Sequence, residues 1–237
     1  MKKWTVKLLI GAILVVGSVF GYAILTPKMP NKNHVNYTAK ALSSCPRIST
    51  ISHFLSDEEC DYLITLARPG LERSTVVDES GSMHSVLDDR RTSEGMFLAN
   101  NEKDPILQRI EARIADLTQI PQENGEQLQI LHYGVGGEFQ PHYDYFYSDT
   151  AGGKANLERG GQRVVTVIMY LNTPEAGGET IFPEAHKSVT PMKGSAVMFH
   201  NCLPSGVEDP LTLHGGAPVK AGEKWIANKW MRKGTFH

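Results

Sequence analysis

The residues of this chain best suited to chemistry are His142 and Asp144, which close the stretch Leu131-His132-Tyr133-Gly134-Val135-Gly136-Gly137-Glu138-Phe139-Gln140-Pro141-His142-Tyr143-Asp144. In an extended segment, side chains two apart point to the same side, so this imidazole and carboxylate can reach one metal ion. Pro141 favours that geometry by biasing its neighbour toward extended backbone. A third ligand is available far along the chain in His214. Two imidazoles and one carboxylate make the facial triad of non-haem iron(II) oxygenases, which leaves positions open for a co-substrate and dioxygen. Ligand type alone leaves zinc open as well. Lys224, ten positions after His214, adds a group for which a purely structural metal site has no use. Its ammonium can hold the far carboxylate of a dicarboxylic acid by a charge-assisted hydrogen bond. With nine histidines in 237 residues a lone H-x-D arises by chance, so the weight rests on the ordered set.

The elements that must position these groups change character along the chain. From Gln127 onward short β-rich runs are punctuated by glycine, at 128–133, 163–171, 180–182, 196–200 and 224–231, which argues for a sandwich or barrel. In the last run Lys224, Ile226, Asn228 and Trp230 share one face by period two, so Trp230 looks into the same cavity as Lys224, with Trp225 packing on the opposite side. Upstream, residues 48–54 read as a strand, and Ser56 to Glu59 has capping-box spacing. Cys60, Leu63, Ile64 and Ala67 then give a helix an apolar face, and Pro69-Gly70 stops it. A second helix begins at Asp104-Pro105, carries Ile106, Leu107, Ile110, Ile114 and Leu117 on one side, and ends before Pro121. Between the helices, residues 77–89 are polar and aperiodic, a loop that either covers a substrate groove or merely connects.

Composition narrows the class further. A formal charge of -2 and a pI near 6.5 give no footprint for nucleic acid, which requires a clustered basic face. Residues 8–25 form an uncharged, mostly apolar run of eighteen, preceded by Lys2, Lys3 and Lys7 and followed by Thr26-Pro27. We read it as an uncleaved transmembrane anchor in preference to a signal peptide, because the small-x-small candidate Gly21-Tyr22-Ala23 lies inside the run. The expectation is a single-pass membrane protein with its catalytic part on the non-cytosolic side, in the endoplasmic reticulum lumen if the cell is eukaryotic. Residues 28–46 then form a polar tether. Cys45, Cys60 and Cys202 supply no disulfide framework; Cys60 reads as core, while Cys45 and Cys202 either pair or stay free.

Several linked segments are familiar. Residues 128–146, Gly160-Gly161-Gln162-Arg163 leading into Thr166-Val167-Ile168-Met169-Tyr170-Leu171, Gly177-Gly178-Glu179-Thr180, and Leu213-His214 through Lys224-Trp225-Ile226-Ala227-Asn228-Lys229-Trp230 resemble the prolyl 4-hydroxylases. These are Fe(II)- and 2-oxoglutarate-dependent dioxygenases. A weaker likeness extends back through Phe54 to Cys60 and Arg91 to Gly95, so it covers roughly residues 48–232. The resemblance implies a mainly β fold with flanking helices, a double-stranded β-helix or jelly roll, with a helical support region at 47–120 and the core at 121–237. It implies Fe(II) on His142, Asp144 and His214, and 2-oxoglutarate anchored by Lys224 with Tyr133 and Thr180 donating hydrogen bonds. L-ascorbate would maintain the iron, and Arg163 and Trp230 would meet a proline-containing peptide or protein. The reaction would turn peptidyl proline into 4-hydroxyproline with release of succinate and CO2. Phe139 stands where many members carry Tyr, which removes a possible substrate contact. The alternatives are the same chemistry on a free amino acid or another peptide residue, a catalytically inactive module that binds Pro-rich chains, and a zinc hydrolase.

Overall fold

The computed structural model describes residues 36–77, 85–99 and 103–237. The chain begins with strands Thr38–Ser44 (β1) and Arg47–Ser52 (β2), followed by helix Asp57–Ala67 (α1). Short strands Glu72–Arg73 (β3), Thr75–Val77 (β4) and Ser85–Leu87 (β5), then Glu94–Leu98 (β6), lead to helix Pro105–Thr118 (α2). Strands Leu128–Tyr133 (β7) and Phe139–His142 (β8), helix Ala151–Glu158 (α3), and strands Arg163–Tyr170 (β9), Ala176–Gly177 (β10), Thr180–Phe182 (β11) and Lys187–Val189 (β12) follow. Ala196–His200 (β13), His214–Gly216 (β14), Val219–Ala221 (β15) and Lys224–Arg232 (β16) complete the order.

Two sheets face each other. The larger runs β1-β2-β13-β9-β16-β7-β6-β3 and the smaller β12-β11-β14-β8. Strands β7, β9 and β16 at the centre of the large sheet are buried along most of both faces because both are covered. Leu131, Ile168, Val197 and Ile226 point into the space between the sheets with Phe182 and Phe199. Their neighbours Ile130, Val167, Ala196 and Ala227 point the other way, onto Leu63 of α1 and Ile110 and Ile114 of α2. The expected helices thus pack outside a jelly roll. The Ser56–Glu59 capping box forms as its spacing predicts, and Asp104 Oδ1 accepts from the Ile106 and Leu107 amides to start α2. The helices are tied together by Arg113, which donates to both oxygens of Glu59 at 2.7 and 2.9 Å.

Three expectations need correction. Residues 38–44 are not tether but the edge strand β1, paired to β2 and pinned by the Tyr37 hydroxyl donating to Asp116 Oδ2 at 3.1 Å. An edge strand exposed along most of its length carries no apolar alternation to reveal it. Residues 77–89 are not wholly loop, since β4 and β5 form an antiparallel ribbon at their flanks. The single-pass membrane protein is not supported either: among the described residues no helix is long and apolar enough to cross a membrane. The apolar run at 8–25 on which that expectation rested lies outside the described residues. Cys45 and Cys202 are free thiols, one exposed and one buried.

Candidate active site

Strands β8 and β14 lie side by side with His142 directly opposite His214. Gly215 allows that closeness, since a Cβ there would come within 2.8 Å of the Phe139 carbonyl oxygen. Asp144 follows β8, and potential ligand atoms of the three residues fall within 4.8 Å of one another. Nδ1 of His142 lies 2.9 Å from the Gln140 carbonyl and Nδ1 of His214 lies 3.0 Å from the Thr212 carbonyl. Donation to those carbonyls turns each Nε2 toward Asp144, at 3.8 and 3.5 Å. The carboxylate is fixed from behind: Thr166 Oγ1 donates to Asp144 Oδ2 at 2.7 Å, and Asn201 Nδ2 donates to Thr166 Oγ1 at 3.0 Å. Burial, then the neighbouring His214, pushes the His142 pKa down to about 3, so its imidazole is neutral and free to ligate. Burial pushes Asp144 upward, but His214, His142, Arg163 and the Thr166 hydroxyl more than offset it and hold the group ionised. A neutral imidazole and an ionised carboxylate with a free second imidazole are the donor set that a divalent iron requires.

Beside the triad a recess is lined by Ile168, Thr180, Lys224, Ile226, Asn228 and Trp230. The four residues of β16 in this set are those that period two assigns to one face. Lys224 is only 3% exposed, and it makes no hydrogen bond or ion pair among the described residues. Burial lowers its pKa to about 8, with Glu179 opposing the shift. Asn228 Oδ1 and Trp230 Nε1 are also buried without a partner. Leaving a buried cation and two polar atoms unsatisfied is costly, so the recess is built for a group that completes them. A dicarboxylate fits: one end toward the metal ligands, the other carrying the charge that Lys224 lacks. Thr180 Oγ1 accepts from the Tyr170 hydroxyl at 2.8 Å, which leaves its own proton to donate.

Tyr133, expected to bind the co-substrate, lies next to Lys224. It sits opposite Lys224 in the β7–β16 pairing, with the Lys224 ammonium 5.5 Å from its ring centroid. Its hydroxyl is engaged by Ser93 and Arg91, so the face and not the donor meets the lysine. Sequence reasoning missed Tyr170, Thr166 and Asn201 because buried residues of these types have no distinctive spacing.

On the other side of the triad a groove of about 370 Å³ opens to solvent. Its walls include Arg91, Tyr143, Tyr145, Tyr147, Arg163 and Trp230. Tyr143 and Tyr145 stack at 4.7 Å and Tyr145 meets Tyr147 edge-on at 5.5 Å. Phe139 lies against His142 at 3.6 Å and under the Arg91 guanidinium at 4.9 Å. Both predicted substrate residues are here, stacked on each other: the Arg163 guanidinium stands 3.9 Å from the Trp230 ring centroid. Glu126, unforeseen in the sequence, accepts from Arg163 Nε and Nη2 at 2.5 and 2.7 Å.

Comparison with known proteins agrees with this geometry. Residues 128–232 match the model of the 2OG-Fe(II) oxygenase superfamily. Prolyl 4-hydroxylase 1 of Arabidopsis thaliana is 47% identical over 212 residues, an alignment covering 84% of this chain and 73% of the relative. The chain belongs to the prolyl 4-hydroxylase family. Probable prolyl 4-hydroxylase 7 of the same plant is 44% identical over 82% of this chain, which spans just under two thirds, 65%, of that relative's length. Among solved structures, the 2OG complex of the viral collagen prolyl hydroxylase of Paramecium bursaria Chlorella virus 1 superposes with a TM-score of 0.62 at 31% identity, covering 78% of this chain and 95% of that one. This member of the prolyl 4-hydroxylase family is therefore an Fe(II)- and 2-oxoglutarate-dependent dioxygenase with a jelly-roll fold.

Proposed function

We propose that the chain hydroxylates peptidyl proline at C4, with His142, Asp144 and His214 holding Fe(II), Lys224 and Thr180 binding 2-oxoglutarate, and the aromatic groove receiving the peptide. The observation that carries the reading is the placement of the triad between two cavities, one holding a buried lysine and one walled by aromatic rings. The smaller buries Lys224, which makes no ion pair among the described residues; the larger is a groove walled by Phe139, Tyr143, Tyr145, Tyr147, Arg163 and Trp230. When bound, iron and its dicarboxylate co-substrate supply the oxidation, in which one atom of dioxygen enters succinate with loss of CO2 and the other enters the C–H bond of proline.

The protein's own groups do the positioning. Lys224 and the Thr180 hydroxyl orient the co-substrate through its far carboxylate, and the apolar walls Ile168 and Ile226 keep water from that end. Thr166 holds Asp144 in one rotamer. Trp230 belongs to both cavities, so its ring separates the co-substrate from the peptide and offers a flat apolar surface to a pyrrolidine. The length of the groove, from Thr75 past the tyrosines to Arg163, favours a peptide over a free amino acid. L-ascorbate would serve to return oxidised iron to the ferrous state after turnover without substrate.

The test is incubation of the protein with Fe(II), 2-oxoglutarate, ascorbate and a panel of proline-containing peptides, following succinate and peptide mass together. A gain of one oxygen on proline, absent with His214→Ala, is expected. Succinate without peptide modification would move the substrate elsewhere, and iron binding without either product would indicate an inactive binding module.

A further inference from the structure

The groove wall that carries Arg163 is organised by a residue that does not touch the groove. Arg232, at the end of β16, is 1% exposed. It is the direct cross-strand partner of Arg163 on β9, an arrangement of like charges that repels unless something intervenes. Glu126 intervenes: its Oε1 accepts from Arg163 Nε at 2.5 Å and from Arg232 Nε at 2.6 Å. Arg163 spends the rest of its bonding on the same carboxylate, whereas Arg232 Nη1 reaches past it to the carbonyls of Asn156 and Gly161 at 3.0 and 2.7 Å. Arg232 is thus tied to the end of α3, to the turn before β9 and to Glu126 at once. Arg163 is tied to Glu126 alone and rests on Trp230.

The surroundings repeat the pattern. The Phe146 ring meets both guanidinium groups, 4.8 Å from Arg163 and 4.6 Å from Arg232. Its backbone is gripped from both sides by Gln162, whose Oε1 accepts from the Phe146 amide at 2.8 Å and whose Nε2 donates to its carbonyl at 2.9 Å. Phe236 of the C-terminal segment covers Arg232 at 5.3 Å, and its amide is held by the Glu123 carbonyl. The order of constraint runs from Arg232 through Glu126 to Arg163, and from Arg232 through Phe146 to the tyrosine wall.

We propose that Arg232 is a positioning residue for peptide binding: through the shared carboxylate of Glu126 it sets the Arg163 guanidinium against Trp230 at the groove wall. The inference rests on the peptide-hydroxylase reading for its consequence, though not for its geometry. Arg232→Met removes the anchor, and Arg232→Lys keeps the charge while losing the fork that reaches three acceptors. Both should raise KM for the peptide about ten- to hundredfold while leaving KM for 2-oxoglutarate unchanged. In an Arg163→Ala background the same substitutions should add much less than they cost alone, because the route through Arg163 is gone and only that through Phe146 remains.

Two measurements decide it. The first needs no turnover: in the NMR spectrum of the full chain, the Arg163 Nε–H signal, assigned by its loss in Arg163→Lys, should exchange with solvent about tenfold faster in Arg232→Lys, and the Trp230 indole signal should move. Phe236→Ala, which leaves no buried charge unpaired, should shift both signals less and in the same direction, and it stands in if the Arg232 variants do not fold. The second is the kinetic split above. Unchanged Arg163 and Trp230 signals in a folded variant would overturn the inference, as would additive effects in the Arg163→Ala background or an equal rise in KM for 2-oxoglutarate. Should the wild type hydroxylate no peptide, the proposed function fails, and the NMR measurement still judges the positioning role.

Discussion

The recess at Lys224 and the cluster at Glu126 sit on either side of Trp230, and both bury charge, yet they are built in opposite ways. Around Glu126 the hydrogen bonding is completed within the chain: one carboxylate accepts from two arginines, and Arg232 satisfies two further carbonyls. Burial raises the Glu126 pKa, but Arg163 and then Arg232 outweigh it and hold the group ionised. Around Lys224 the bonding is left open: the ammonium makes no hydrogen bond or ion pair among the described residues, and the Asn228 amide oxygen and Trp230 indole N–H are buried without partners. A completed network fixes a shape. An incomplete one at the same depth marks where something from outside is meant to enter, since the fold carries the cost of desolvation until it does.

Substitutions in the two regions should therefore separate stability from binding. The largest effect belongs to the triad between them: His214→Ala removes one of three iron ligands, and turnover should fall below detection while the metal-free protein melts close to wild type, as followed by succinate release and circular dichroism. Next comes Glu126→Ala. It leaves two facing arginines buried without their carboxylate and should cost about 3–5 kcal/mol of folding stability in urea titration. Lys224→Met should do the reverse. The ligand-free protein should be as stable as wild type or more so, while affinity for 2-oxoglutarate falls by about 1.5–3 kcal/mol, roughly ten- to 150-fold by calorimetry. A Lys224→Met variant that lost stability like Glu126→Ala would break the contrast.

Acidity sharpens the same comparison. The pKa of Lys224 is depressed by burial to about 8 in the folded, ligand-free protein, against about 10.4 for an unfolded lysine. Between those values the unfolded chain binds the extra proton, so the ligand-free fold should gain stability as pH rises from about 8 toward 10.4 and show no dependence on this group below that window. Binding of 2-oxoglutarate should move the other way and weaken as pH passes 8, because the neutral amine no longer supplies a charge. Calorimetric titrations at pH 7 and 9 check it, with Lys224→Met expected to be flat.

What the sequence made legible follows from which physics leaves a periodic trace. The face of β16 carrying Lys224, Ile226, Asn228 and Trp230 was readable because period two is obligatory in a strand, and the structure lines one recess with all four. His142, Asp144 and His214 were readable because few side chains bind a divalent metal, and the structure brings them within reach of one ion. Position 133 was readable as a strand residue beside Lys224, whereas the contacts of its hydroxyl with Arg91 and Ser93 are a pairing that no spacing encodes. Edge strand β1 left no trace because an exposed strand needs no apolar face. Glu126 and Arg232 are 106 residues apart and meet only in the folded chain. Their pairing could not be read from either end.

The smallest effect expected tests whether a completed network matters where it touches the metal ligands. Thr166 is fully buried and bridges Asn201 to Asp144. Thr166→Val keeps the volume and removes the hydroxyl, so Asp144 Oδ2 loses its donor and Asn201, whose Oδ1 is already without a partner, loses its acceptor. The loss should lower iron affinity about tenfold, since the carboxylate is no longer held in one orientation. It should cost about 1.5–3 kcal/mol of stability, the usual worth of a hydrogen bond to a charged group. At saturating iron, turnover should approach that of the wild type. Anaerobic iron titration followed by turnover at high iron distinguishes the two contributions. A variant inactive even at saturation would mean that Thr166 orients Asp144 for the reaction itself, and the network behind the triad would then belong with the incomplete recess it faces in setting the chemistry.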